Sequence, residues 1–219
     1  MAASSKIIDL RNLLDQRFPH APPPATLRLS TGLPEIDQAI WGGLPKSAIT
    51  ELSSAKVSAG SALLLCALLQ TAQRDGYFLA LVDGRDSFDP SASGGLGNSR
   101  LRNLLWVRCT RALEAIKAAD LLLRDGNFPL VVLDLVLNAS EELRQIPQTS
   151  WYRLQRLVEA VPTAFLVLTR RSMISSAQLK LSLENAWTLA DLEQDQLTSR
   201  LKVLVQRAQN GLQQTAGAG

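Results

Sequence analysis

The 219 residues, 46% of them hydrophobic, supply enough apolar side chain for one well-buried domain and do not demand a second. A formal charge of +3, from 23 basic and 20 acidic residues, permits contact with nucleic acid but is far from the basic excess of a DNA-coating protein. Two separated cysteines, Cys66 and Cys109, and the single histidine His20 leave no basis for a zinc site or a disulfide framework, and no cofactor is expected. Apolar runs such as "FPLVVLDLVL" fall well short of the ~20 residues that span a bilayer, and no basic-then-apolar leader opens the chain, so a soluble cytoplasmic protein is expected.

In "KIIDLRNLLDQRF", Ile7, Leu10, Leu13, Leu14 and Phe18 recur at helical spacing, predicting an amphipathic helix that ends at Pro19. "PHAPPPATLRL" cannot continue a helix and reads as an extended tether, so residues 1–26 are expected to form an arm. That arm has two readings, packing on its own core or on a neighbouring molecule. Beyond it, "PEIDQAI" has helical spacing and stops at Gly42-Gly43, "SAITEL" is strand-like, and residues 61–74 form a helix.

"YFLALVD" follows as a strand, "ALEAIKAADLLLRDG" as a helix closed by Gly126, and "PLVVLDL" as a strand apolar enough to be buried on both faces. "WYRLQRLVEAV" is a helix and "AFLVLTRR" a further buried strand. Such alternation predicts an α/β core over residues 27–210, with a mostly parallel sheet flanked by helices and its chemistry at the carboxyl ends of the strands. "LSLENAWTLADLEQDQLTSRLKVLVQRA" reads as two strands around a polar turn, a carboxyl-terminal antiparallel hairpin, and residues 211–219 read as a disordered tail.

The stretch "ELSSAKVSAGSALLL" stands where a nucleotide-binding sheet keeps its phosphate loop, G-x-x-x-x-G-K-[ST]. On that frame Ser54 replaces the first glycine, Ala59 the second and Gly60 the lysine, while Ser61 keeps the hydroxyl. Losing the charge-assisted contact costs ~1.5–3 kcal/mol, and losing a glycine that needs positive φ about 1 kcal/mol more, or roughly two orders of magnitude in affinity. Lys56 lies within the loop but four residues too early to replace the lysine, and reads as a solvated side chain. Asp134, at the end of its strand, either serves the magnesium side of a nucleotide site or caps the following turn, and Asp83 presents the same alternatives.

Two stretches, "STGLPEIDQAIWGGLPKSAITEL" and "LALVDGRDSFDP", resemble the RecA core. "LLWVR", "ALEAIKAADLLLRDGNFPLVVLDL" and "LVLTRRS" are closer still to ImuA, the RecA-like accessory family of bacterial mutagenesis cassettes, and the ordered set covers roughly residues 27–207. Relative to RecA the resemblance places Arg85 where the catalytic glutamate stands and Arg170 or Thr169 where a glutamine senses the γ-phosphate, with Asp134 the matching acid. A cation at residue 85 cannot act as general base, so ATP hydrolysis is expected to be absent. The resemblance implies a non-catalytic adaptor in SOS-induced translesion synthesis, binding an ImuB-like protein and RecA and acting indirectly with an error-prone replicative polymerase.

Two basic groups are candidate surfaces for a partner or DNA. Arg200, Lys202 and Arg207 follow the last acidic residue, with Leu201, Val203 and Val205 on the opposite strand face, which equally describes a solvated face over a buried one. Arg102, Arg108 and Arg111 surround Trp106, an arrangement that can hold single strands by phosphate contact and stacking, although Trp106 within "LLWV" also suits a core. Any DNA binding is expected to be weak and salt-dependent, and self-association is left open. The competing functions are a nucleotide-dependent switch or weak ATPase with a remodelled loop, and a SulA-like inhibitor of cell division.

Overall fold

The computed structural model describes residues 27–56, 60–89, 101–185 and 201–209. The expected arm over 1–26 and tail over 211–219 lie outside the described residues. A short pairing of β1 (Arg28–Leu29) with β2 (Leu44–Pro45) brackets α1 (Pro34–Ala39), whose proline occupies the first turn where a missing N–H is harmless. Asp37 on α1 accepts hydrogen bonds from the Ser30 and Thr31 hydroxyls at 2.7 and 2.8 Å, fixing the approach of the chain to the sheet.

The sheet is built from β3 (Ala48–Ser54), β4 (Leu79–Asp83), β5 (Leu104–Arg108), β6 (Leu130–Asp134), β7 (Ala164–Thr169), β8 (Leu179–Leu183) and β9 (Val203–Ala208). Their order is β5-β4-β6-β7-β3-β8-β9, parallel throughout except for β9, which pairs antiparallel with β8. The interior strands β3, β4 and β7 are buried at every residue, the pattern of a sheet covered on both faces.

One face carries α2 (Ser61–Asp75), whose Leu64, Leu65, Leu68 and Leu69 pack on Leu52, Leu81, Val132 and Leu166. The other carries α3 (Ala112–Asp125) and α5 (Gln148–Glu159), whose Ile116, Leu123, Trp151 and Leu154 pack on Ile49, Val82, Leu133 and Val167. Trp151 is fully enclosed, so Trp151→Ala would cost about 3–5 kcal/mol. Gly126 ends α3 in the left-handed conformation, φ 69°, as its place after the last helical turn predicts.

The basic end departs from the reading of it as one alternating strand. β9 begins at Val203, after Lys202, and a bulge between the partners of Lys180 and Leu181 shifts its alternation before Arg207. The connection from β8 covers residues 184–202, too long for a tight turn, and 186–200 lie outside the described residues. "LLWVR" is an edge strand, with Trp106 partly buried against the α2-side core and packed edge-on to Phe88, ring centroids 5.4 Å apart. No described helix is long and apolar enough to cross a membrane.

Candidate functional site

Strand order brings Asp83 and Asp134 side by side, since they are register partners at the carboxyl ends of β4 and β6. Strand alternation turns both toward the α2 face. Asp83 is buried and occupied: its carboxylate accepts the backbone N–H groups of Arg85, Ser87 and Phe88 at 3.2, 2.8 and 2.7 Å, which fold the following turn around it. Among the described residues Asp134 accepts only the Val136 N–H, at 2.9 Å. Burial pushes its carboxyl up to about 6, the Val136 hydrogen bond opposes this, and the neighbouring Asp83 charge adds to it.

Gly84 makes this approach possible. A Cβ there would lie 2.5 Å from Asn138 Oδ1 and 2.7 Å from the Asp134 carbonyl oxygen. Asn138 donates to the Gly84 carbonyl at 2.9 Å and to Glu142 at 3.1 Å. Glu142 lies on α4 (Ser140–Arg144) and accepts the Ala112 N–H at the start of α3. Partial burial works against ionisation of Glu142, but those two donors and the nearby Arg85 and Arg111 hold its carboxyl below the ordinary glutamate range.

A cleft of about 250 Å³ opens beside this corner, bounded by Ser61, Leu65, Cys66, Phe88, Asp89 and Asp134. Among the described residues its lining contains two carboxylates and no cation. Gly60 precedes α2 with φ 108°, and Ser54, at the end of β3, donates its hydroxyl to the Lys56 carbonyl at 3.2 Å. Ala59 is outside the described residues. Arg85 leaves the cleft: its guanidinium is exposed and donates to the Thr110 carbonyl at 3.1 Å, on the side of α3 and α4. Of the six nucleotide-site positions, Ser61 and Asp134 therefore share the cleft, Ser54 and Gly60 flank it, and Arg85 points elsewhere.

The basic residues fall on opposite edges of the sheet, β5 and β9. Arg108 forms a two-pronged pair with Asp86, Nη2 to Oδ2 2.8 Å, and lies 4.9 Å from the centroid of the Trp106 ring. Arg111 caps α3 and is exposed, and Arg102 is exposed ahead of β5, at the opposite end of that strand from Arg108. Arg207 is tied down by donating to the Ser175 and Ala177 carbonyls at 3.1 and 2.6 Å, Lys202 is exposed, and Arg200 is outside the described residues. No cluster of three or more His, Cys, Asp or Glu side chains that could hold a metal occurs among the described residues.

Sequence reasoning missed Glu51. It is fully buried in β3 and accepts hydrogen bonds from Ser172 Oγ, Met173 N and Ile174 N, and its Oε2 lies 3.1 Å from Lys180 Nζ. The only signal was an acid inside an otherwise apolar strand.

A mostly parallel sheet covered on both faces, with strand-end acids beside one cleft, defines an α/β class whose ligand sites gather at the carboxyl ends of the strands. The RecA N-terminal domain matches residues 25–144, and the chain belongs to the RecA family. It is 32% identical to Protein RecA of Nostoc sp. over 108 residues, which are 49% of this chain and 30% of that protein. Identity is 33% over 109 residues to Protein RecA of Chlorobaculum tepidum, covering 49% and 31%. It is 33% over 107 residues to DNA repair protein recA homolog 1, chloroplastic, of Arabidopsis thaliana, covering 49% and 24%. The matched stretch is thus less than a third of each of these relatives, and β7, β8 and β9 follow it.

Proposed function

We propose that this RecA-family chain is a non-hydrolysing adaptor in DNA repair, acting in damage-induced translesion synthesis by binding an ImuB-like protein and RecA, as its similarity to ImuA implies. The observation that supports the reading is the cleft at Ser61 and Asp134, whose described lining residues include two carboxylates and no cation, while Arg85 is drawn off to Thr110. Tight capture of a polyanion lacks a cation among the described lining residues, and the position where RecA has its catalytic glutamate carries Arg85, which cannot act as a general base. The fold is kept, and its surfaces remain for partners.

The test pairs two measurements on the full chain. Titration with a fluorescent ATP analogue and magnesium is expected to give no saturable binding at concentrations that fill an intact phosphate loop, and no phosphate release. Co-purification with RecA and with an ImuB-like protein is expected to succeed without nucleotide. Tight nucleotide binding abolished by Asp134→Ala would instead establish the nucleotide-switch reading, which the shared cleft of Ser61 and Asp134 favours.

A further inference from the structure

The sheet has a second opening at the carboxyl ends of its strands, toward the face away from Asp134. Ser53 is in register with Thr169 on β7 and with Ser182 on β8, so three hydroxyls line up across neighbouring strands. The Thr169 and Ser182 hydroxyls are enclosed and have no hydrogen-bond partner. Ser53 and Ser182 line a cleft of about 580 Å³ whose rim carries Lys56, Arg170 and Arg171, against one carboxylate among the described residues, Glu184.

These three cations are exposed and make no hydrogen bond or ion pair among the described residues. Arg74, Arg108, Arg124, Arg153 and Lys180, by contrast, each sit on an acid. On the other side of Arg170, Arg171 and Ser172 lies a second cleft of about 360 Å³, with Leu143, Ile146 and Met173 as apolar wall and Arg144 at its edge. The turn that presents the arginines is anchored, because Glu51 holds the N–H groups of Met173 and Ile174 and the Ser172 hydroxyl, and Lys180 donates to Ser172 at 2.9 Å.

We propose that this double cleft receives a carboxylate-bearing segment of a partner protein. Arg170 and Arg171 take its acidic side chains, and the Leu143, Ile146 and Met173 wall takes an adjacent apolar one. A guanidinium fork matches a carboxylate with two parallel hydrogen bonds, and an anchored turn loses little freedom on binding. Charge complementarity alone would also admit single-stranded nucleic acid. Among the described residues, however, neither cleft is lined by an aromatic side chain on which bases could stack.

The surface rests on the adaptor reading only in expecting a protein partner. It is tested by fluorescence anisotropy with a labelled peptide of alternating Leu and Glu, on wild type, on Arg170→Ala/Arg171→Ala, and on Lys117→Ala/Arg156→Ala, which removes the same charge elsewhere. The expected result is saturable binding that weakens with salt and falls roughly tenfold or more in the first variant, with the second unchanged. All four side chains are exposed, so both variants should melt as wild type does. Absence of binding, equal loss in both variants, or an oligothymidylate bound more tightly through the same two arginines would overturn the proposal. Failure of the adaptor reading would show separately, as ATP turnover or tight nucleotide binding.

Discussion

Glu51 and Lys180 face one another as register partners on β3 and β8, with Oε2 3.1 Å from Nζ, and both side chains are largely enclosed. Removing one member leaves the other charged and buried. Lys180→Met should therefore lower unfolding free energy by about 3 kcal/mol in urea titrations, while Glu51→Gln, which keeps an acceptor for Met173 and Ile174, should cost less. Amide exchange at Met173 and Ile174 should accelerate in Glu51→Ala before the rest of β3 loosens.

Asp134 carries a pH signature. Its carboxyl ionises near 6 when folded against 3.8 ordinarily, so between these values the folded chain holds a proton that the unfolded chain has lost. Stability from this group is complete below pH 4, falls as pH rises, and is level again above about 6. The charged or titratable groups around it are Asp83, Asp89 and Cys66. Asp134→Asn keeps an acceptor for Val136 and should stabilise the chain at pH 7.5 by about 1–2 kcal/mol, allowing for the open side of the cleft. The gain should vanish in melts at pH 4.

Gly84→Ala should destabilise by about 1–3 kcal/mol, because the new Cβ meets backbone and a hydrogen-bonded amide rather than a flexible side-chain end. Gly76→Ala makes a useful contrast. That glycine has open space around it, so only its positive φ resists the substitution, and the loss should be nearer 1 kcal/mol. Thermal melts of the two variants separate the causes.

Arg108→Ala should leave the melting midpoint almost where it is, since its partner Asp86 is at the surface and water replaces the pair. Tryptophan emission should still change, because the guanidinium sits over the Trp106 ring.

Near-continuous apolar runs such as "PLVVLDL" and "AFLVLTRR" were legible as buried strands, and Gly126 as the end of a helix. Strand order was not, because β3 finds its neighbours β7 and β8 only after most of the chain has been added. Periodicity sees one segment at a time. Arg85 could be placed at the end of β4 from its position alone. The course of its side chain depends on the turn that Asp83 gathers with three backbone N–H groups, a tertiary event. Likewise, nothing in "SAITEL" distinguishes a buried, fully satisfied glutamate from an edge-strand acid without Lys180 and the 172–174 amides in view.

The cleft beside Ser61 carries the carboxylates of Asp89 and Asp134 among its described lining. Negative side chains there raise the cost of bringing a polyphosphate close. Lys56, Arg170 and Arg171 bring positive charge together a short way along the strand ends. Opposite charges thus stand at two openings on opposite faces of one sheet.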